Sequence, residues 1–170
     1  MGGEAEELPG HPGLYIPQLA KLIPLPISGE HASELISVAR QAPYGLGMAT
    51  LMDTRVRDTF QLEPSQFELR NPQWAVRIAE LVEKRVVPSL GCGGNAVEAR
   101  IYKLLLYAPG GHFKRHRDTE KAPGMFGTLI VQLPSEHTGG KLLVYDTDDT
   151  DKQEFDFGQS TGRAMFASHF

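Results

Sequence analysis

The sequence predicts an α+β fold, with helices first and an antiparallel β core of jelly-roll type after them. Two observations carry this. Helix-periodic apolar spacing with N-cap signals is confined to the first half of the chain. From Val97 onward, short runs rich in Leu, Val, Ile, Tyr and Phe alternate with Gly, Pro and Asp turns, the spacing of a sandwich or barrel. The chain has 170 residues of which 41% are hydrophobic, enough for one domain with a buried core.

The elements follow in order. Residues 1–14 are rich in Gly, Glu and Pro and read as a disordered arm, with the folded domain spanning residues 15–170. Ser28 is a helix N-cap, and Ala32, Leu35, Ile36 and Ala39 then fall on one helical face. Pro43, Gly45 and Gly47 end that helix. Residues Thr50 to Glu63 suit a short strand pair closed by Pro64. Asn71-Pro72 starts a second helix, because Asn caps and Pro at the first helical position loses no useful N–H. Trp74, Ile78, Leu81, Val82 and Arg85 continue it, and Pro88 with the Gly91–Gly94 cluster stops it. Strands are expected over Val97–Tyr107, Phe113–Asp118, Met125–Leu133, Lys141–Tyr145, Glu154–Phe157 and Ala164–Phe170. The last of these runs to the final residue, so the β core is expected to be incomplete at its C-terminal end.

Composition excludes several classes. Seventeen Lys and Arg against 21 Asp and Glu leave a net charge of −4, which disfavours binding to nucleic acid or to an anionic membrane surface. One cysteine, Cys92, forms no internal disulfide and no zinc site of paired cysteines, so a reducing compartment is expected. Residues Met1–Pro12 carry no Lys or Arg and no apolar run, so no signal peptide is read. The expected location is intracellular, cytoplasmic or nuclear.

The chemistry concentrates between Tyr107 and Asp118. If this segment is a strand, His116 and Asp118 at i and i+2 share a face while Arg117 points away. An imidazole and a carboxylate side by side are two of the three ligands of a 2-His-1-carboxylate triad, which leaves open positions on Fe(II). By spacing alone, a solvated His–Asp pair or a turn cap is the more usual reading of the same residues.

Tyr107, Gly110, Phe113, His116 and Asp118 stand in a Y-x-x-G-x-x-F-x-x-H-x-D string followed by Thr119-Glu120-Lys121. Gly124-Met125-Phe126-Gly127 and the run Thr128–Pro134 come next, then Gly139-Gly140-x-Leu142. With the earlier Ala42-Pro43-Tyr44-Gly45, Val56-Arg57-Asp58-Thr59 and Asn71-Pro72-x-Trp74, these segments resemble the Fe(II)/2-oxoglutarate-dependent dioxygenases of the prolyl 4-hydroxylase-like group. The resemblance spans the chain from about Leu25 onward. It implies a double-stranded β-helix, Fe(II), 2-oxoglutarate and O2 as cofactor and co-substrates, and ascorbate as an auxiliary reductant. The implied reaction hydroxylates a C–H bond of a protein or small molecule while 2-oxoglutarate is converted to succinate. His116 and Asp118 match the first two iron ligands, and Tyr107 matches a tyrosine lining the 2-oxoglutarate pocket, although a core aromatic at Tyr107 satisfies the same pattern.

The family's third ligand, a histidine in an aromatic-Asp-Cys-Glu-His segment, and its 2-oxoglutarate-binding arginine fall beyond Phe170. His169 lies a few residues before the ligand position, and a slip in strand register is needed to offer it as a substitute. Arg163 reads as a solvated charge. Two functional readings therefore stand: a hydroxylase, or a catalytically inactive module that keeps the fold for protein binding. A hydrolytic divalent-metal site at His116 and Asp118 is a third and weaker one, since no general-base motif adjoins it. An open sheet edge is available for self-association.

Other motifs do not survive inspection. The run Asp146–Asp151 has Asp151 and Phe157 where a calcium loop needs Gly and Glu, and reads as a solvated hairpin turn. Gly139-Gly140-Lys141 lacks the following Ser or Thr of a phosphate-binding loop. His112 with Lys114 and Arg115 reads as an exposed strand face, Cys92 as a spectator, and Glu136-His137 as loop.

Overall fold

A computed structural model describes residues 2–6, 8–46, 49–146, 150–158 and 162–170. Met1 and Glu7 of the arm, Gly47 of the expected helix end and residues 147–149 of the acidic turn lie outside the described residues.

Both helices start where their caps predict. Ser28 is extended, and its hydroxyl accepts from the His31 N–H to open α1 (Gly29–Val38). The Asn71 side chain accepts from the Gln73 N–H to open α2 (Pro72–Leu81), with Pro72 in the first turn. A π-helical segment, Val82–Val86, continues α2 and passes into α3 (Val87–Ser89). The expected end of α1 at Pro43 is corrected: the helix stops at Val38, because Ala39 is already extended and leads into a strand.

The strands are short. They are β1 (Gly2–Glu4), β2 (Leu14–Ile16), β3 (Lys21–Leu22), β4 (Arg40–Gln41), β5 (Tyr44–Leu46) and β6 (Ala49–Leu51). Then come β7 (Arg57–Asp58), β8 (Phe60–Leu62), β9 (Glu68–Leu69), β10 (Leu104–Leu106) and β11 (His112–Phe113). The last four are β12 (Thr128–Gln132), β13 (Leu142–Tyr145), β14 (Lys152–Phe155) and β15 (Met165–His169). They pair in small antiparallel sheets ordered β1-β15-β12, β10-β8-β4 and β3-β2-β9, and in the two-stranded pairs β11-β7, β13-β14 and β5-β6. The architecture is mixed α+β, and among the described residues these sheets do not close into a barrel.

Two segments expected to be strands are shorter than predicted. Only Leu104–Leu106 of Val97–Tyr107 and only Phe113 of Phe113–Asp118 are in ladders, because the pairing with β8 stops at Leu62 and the pairing with β7 stops at Arg57.

Two apolar clusters form the core. Trp74, Leu81, Val82, Val86 and Leu90 pack beneath Phe166 and Ala164. Leu14, Ile16, Ile23, Leu35, Leu62 and Phe67 form the second cluster. Leu69 and Leu133 touch both.

The expected disordered arm over residues 1–14 is a correction. β1 pairs with β15, the Ala5 N–H donates to the Ala164 carbonyl, and Ala5 and Leu8 are buried in the first cluster. Composition predicted disorder, but Gly2 is required by contact: a Cβ there would stand 2.6 Å from the Phe166 carbonyl oxygen. Among the described residues, no helix is long and apolar enough to cross a membrane.

Candidate metal centre

His116 and Asp118 do come together, but not by the route the sequence suggests. Neither is in a strand; β11 ends at Phe113 and the chain bends through residues 114–118. The bend is tied down by the Lys114 N–H, which donates to the Val56 carbonyl, and by the His116 ring itself. Its Nδ1 lies 2.9 Å from the Lys114 carbonyl oxygen. A carbonyl only accepts, so Nδ1 carries the proton of that bond. The opposite nitrogen, Nε2, then faces Asp118 Oδ1 at 3.4 Å.

The His116 ring is also held from its face. Phe113 stacks on it with ring centroids 3.5 Å apart and planes 18° apart. The Arg57 guanidinium lies 4.3 Å from the Phe113 centroid. Arg57 donates to the Pro43 carbonyl at 2.8 Å, while its Nε is buried without a hydrogen-bond partner. Burial pushes the Arg57 guanidinium below its ordinary pKa, against the nearby Tyr107, Tyr102 and Asp118, which favour the charge.

His169 reaches the same carboxylate. Its Nε2 lies 4.0 Å from Asp118 Oδ2, and its Nδ1 lies 2.9 Å from the Phe170 carbonyl oxygen. The expectation that only a slipped strand offers His169 is corrected. β15 pairs with β12 in regular antiparallel register, Thr128 opposite His169. Thr128 Oγ1 donates to Asp118 Oδ2 at 2.9 Å, so the two residues of one cross-strand pair both face Asp118. Gly127 permits this approach, since a Cβ there would stand 2.8 Å from the His169 carbonyl oxygen.

The electrostatics follow from the geometry. The His116 hydrogen bond, more than the Thr128 bond and the nearby charges, lowers the Asp118 carboxyl to about 2 against the desolvation that would raise it. That hydrogen bond requires a proton on His116 Nε2; with Nδ1 alone protonated on each ring, a neutral imidazole instead turns a lone pair toward Asp118. Lone pairs of His116 and His169 then converge on an anion, which is repulsive unless a proton or a cation stands between them.

A divalent ion suits that gap in donor type, with two imidazole nitrogens and one carboxylate. The spacing fits in part. Bonds of about 2.1 Å put neighbouring octahedral ligand atoms about 3 Å apart. The His116–Asp118 separation of 3.4 Å is near that value, and the His169–Asp118 separation of 4.0 Å is wider. Accordingly, among the described residues no three His, Cys, Asp or Glu side chains are grouped closely enough to hold a metal ion as they stand.

Tyr107 follows β10 with about half its surface exposed, on the side of the molecule where its phenol acts on Arg57. Arg163 is solvated as expected, its side chain 65% exposed, and it pairs with Glu4 at 3.0 Å. Phe113, Arg57 and Thr128 were missed as site residues. Phe113 sits three residues before His116 and had a readable signal; Arg57 and Thr128 arrive through tertiary pairing.

The chain matches no protein-family model, no curated protein and no solved structure.

Proposed function

We propose that the protein is an Fe(II)- and 2-oxoglutarate-dependent dioxygenase of the prolyl 4-hydroxylase-like group, built on a double-stranded β-helix. The observation that supports this reading is the convergence of His116 Nε2 and His169 Nε2 on Asp118, each ring anchored through Nδ1 to a backbone carbonyl. Anchoring one imidazole nitrogen and aiming the other is how proteins orient metal-binding histidines. His116 and Asp118 would hold the ion, with His169 the remaining candidate ligand. Iron bound there would supply activation of O2, coupled to conversion of 2-oxoglutarate to succinate, for hydroxylation of a C–H bond, with ascorbate as its auxiliary reductant. The chain's own residues orient and shield: Phe113 fixes the His116 plane, Thr128 holds the second carboxylate oxygen, and Tyr107, near enough to act on Arg57, would line the co-substrate pocket. An intracellular, reducing compartment would suit both ferrous iron and the free Cys92 thiol.

The wider His169 separation favours a second reading, in which the fold persists as a protein-binding module and His116 and Asp118 are a proton-bridged pair. Anaerobic titration of the chain with Fe(II) and 2-oxoglutarate separates the two. The dioxygenase reading predicts a visible metal-to-keto-acid charge-transfer band that His116→Ala abolishes. A folded sample with no band overturns that reading and leaves the binding module.

A further inference from the structure

One stretch of the chain leaves its backbone unused. Between Asn95 and β10 no helix or strand is formed, and among the described residues no backbone group of residues 96–103 pairs with another backbone group. Most of this strap is exposed; Ile101 and Tyr102 are 58% and 52% accessible. The strap runs straight into β10, which is the edge strand of its sheet. Such an edge is a template for another strand, and no Pro interrupts it.

The sequence of the strap says which strand. It reads Ala96-Val97-Glu98-Ala99-Arg100-Ile101-Tyr102. Placed antiparallel to a copy of itself about Ala99, it sets Glu98 opposite Arg100 twice and Val97 opposite Ile101 twice. Alanine, with the smallest side chain of the set, meets its own copy at the two-fold axis. Both charged residues share one face and Val97, Ala99 and Ile101 share the other, as period-two alternation requires. The two charges already lie on a common side within one chain, Arg100 NH2 to Glu98 Oε2 at 2.8 Å, and both are well exposed. Opposite-charge and apolar cross-strand pairs are the units that stabilise an antiparallel ladder. A shift of register by two residues breaks both sets, because either Glu98 or Arg100 would then face its own copy.

We propose that residues 96–102 form a self-complementary edge through which two copies of this chain pair as an antiparallel, two-fold dimer. The interface is isologous, so each residue contact occurs twice. It does not depend on the metal reading. A single strand pair is small beside a standard interface, so the dimer is weak and concentration-dependent.

Sedimentation velocity of the full chain over a wide concentration range tests this, with Glu98→Arg, Arg100→Glu and the double exchange as variants and circular dichroism as a check on folding. The wild type is expected to pass from monomer to dimer. Each single reversal sets like charges opposite one another and should weaken dimerisation at least tenfold, and the double exchange should restore it. A wild type that stays monomeric throughout overturns the proposal, as does a double variant no better than the single ones.

Discussion

Replacing Asp118 by Asn removes the charge at the centre of the candidate site while keeping its shape, and the effect on stability should depend on pH in a specific way. The Asp118 carboxyl is lowered from 3.8 to about 2, chiefly by its hydrogen bond with His116. A gap of nearly two units corresponds to roughly 2.5 kcal/mol. The side chains of Asp118 and His116 are 33% and 40% exposed, so solvent screening reduces this to about 1 kcal/mol. The folded-state value lies below the unfolded one. The stabilisation is therefore complete above the unfolded value of 3.8 and is lost as pH falls through about 2. Urea denaturation of wild type and Asp118→Asn in the presence of a chelator, from neutral pH down to about 2.5, should show a gap that narrows in acid. A gap that stays constant or widens as pH falls would refute the reasoning.

Two further outcomes follow from packing. Leu8→Ala should cost about 2 kcal/mol in denaturant unfolding, since Leu8 is buried in the first cluster, whereas a detached arm would show no change. Phe113→Leu removes the ring stacked on His116 and should weaken Co(II) binding about tenfold by isothermal titration, with Phe113→Tyr restoring it.

The helices were legible because their signals are local. Ser28 and Asn71 each satisfy an N–H within three residues, and the apolar faces of α1 and α2 repeat within one or two turns. The His116–Asp118 pair was legible for a similar reason, although the expected strand proved to be a bend. Residues two apart can meet in either conformation, so the proximity held while its explanation changed. Strand extents were less legible, because alternation marks a capacity to pair and not the presence of a partner.

By itself, the sequence determined the α+β class, the helix starts and the pairing of His116 with Asp118. Only the tertiary structure decided that the Gly-rich arm folds onto β15, that Thr128 and His169 meet at Asp118 across one cross-strand pair, and that Arg57 lies over Phe113. The division has a physical cause. Caps and periodicity are energies of neighbouring residues, readable along the chain. Sheet register and close backbone approach, as at Gly2 and Gly127, are energies of segments that are distant in sequence and adjacent only after folding.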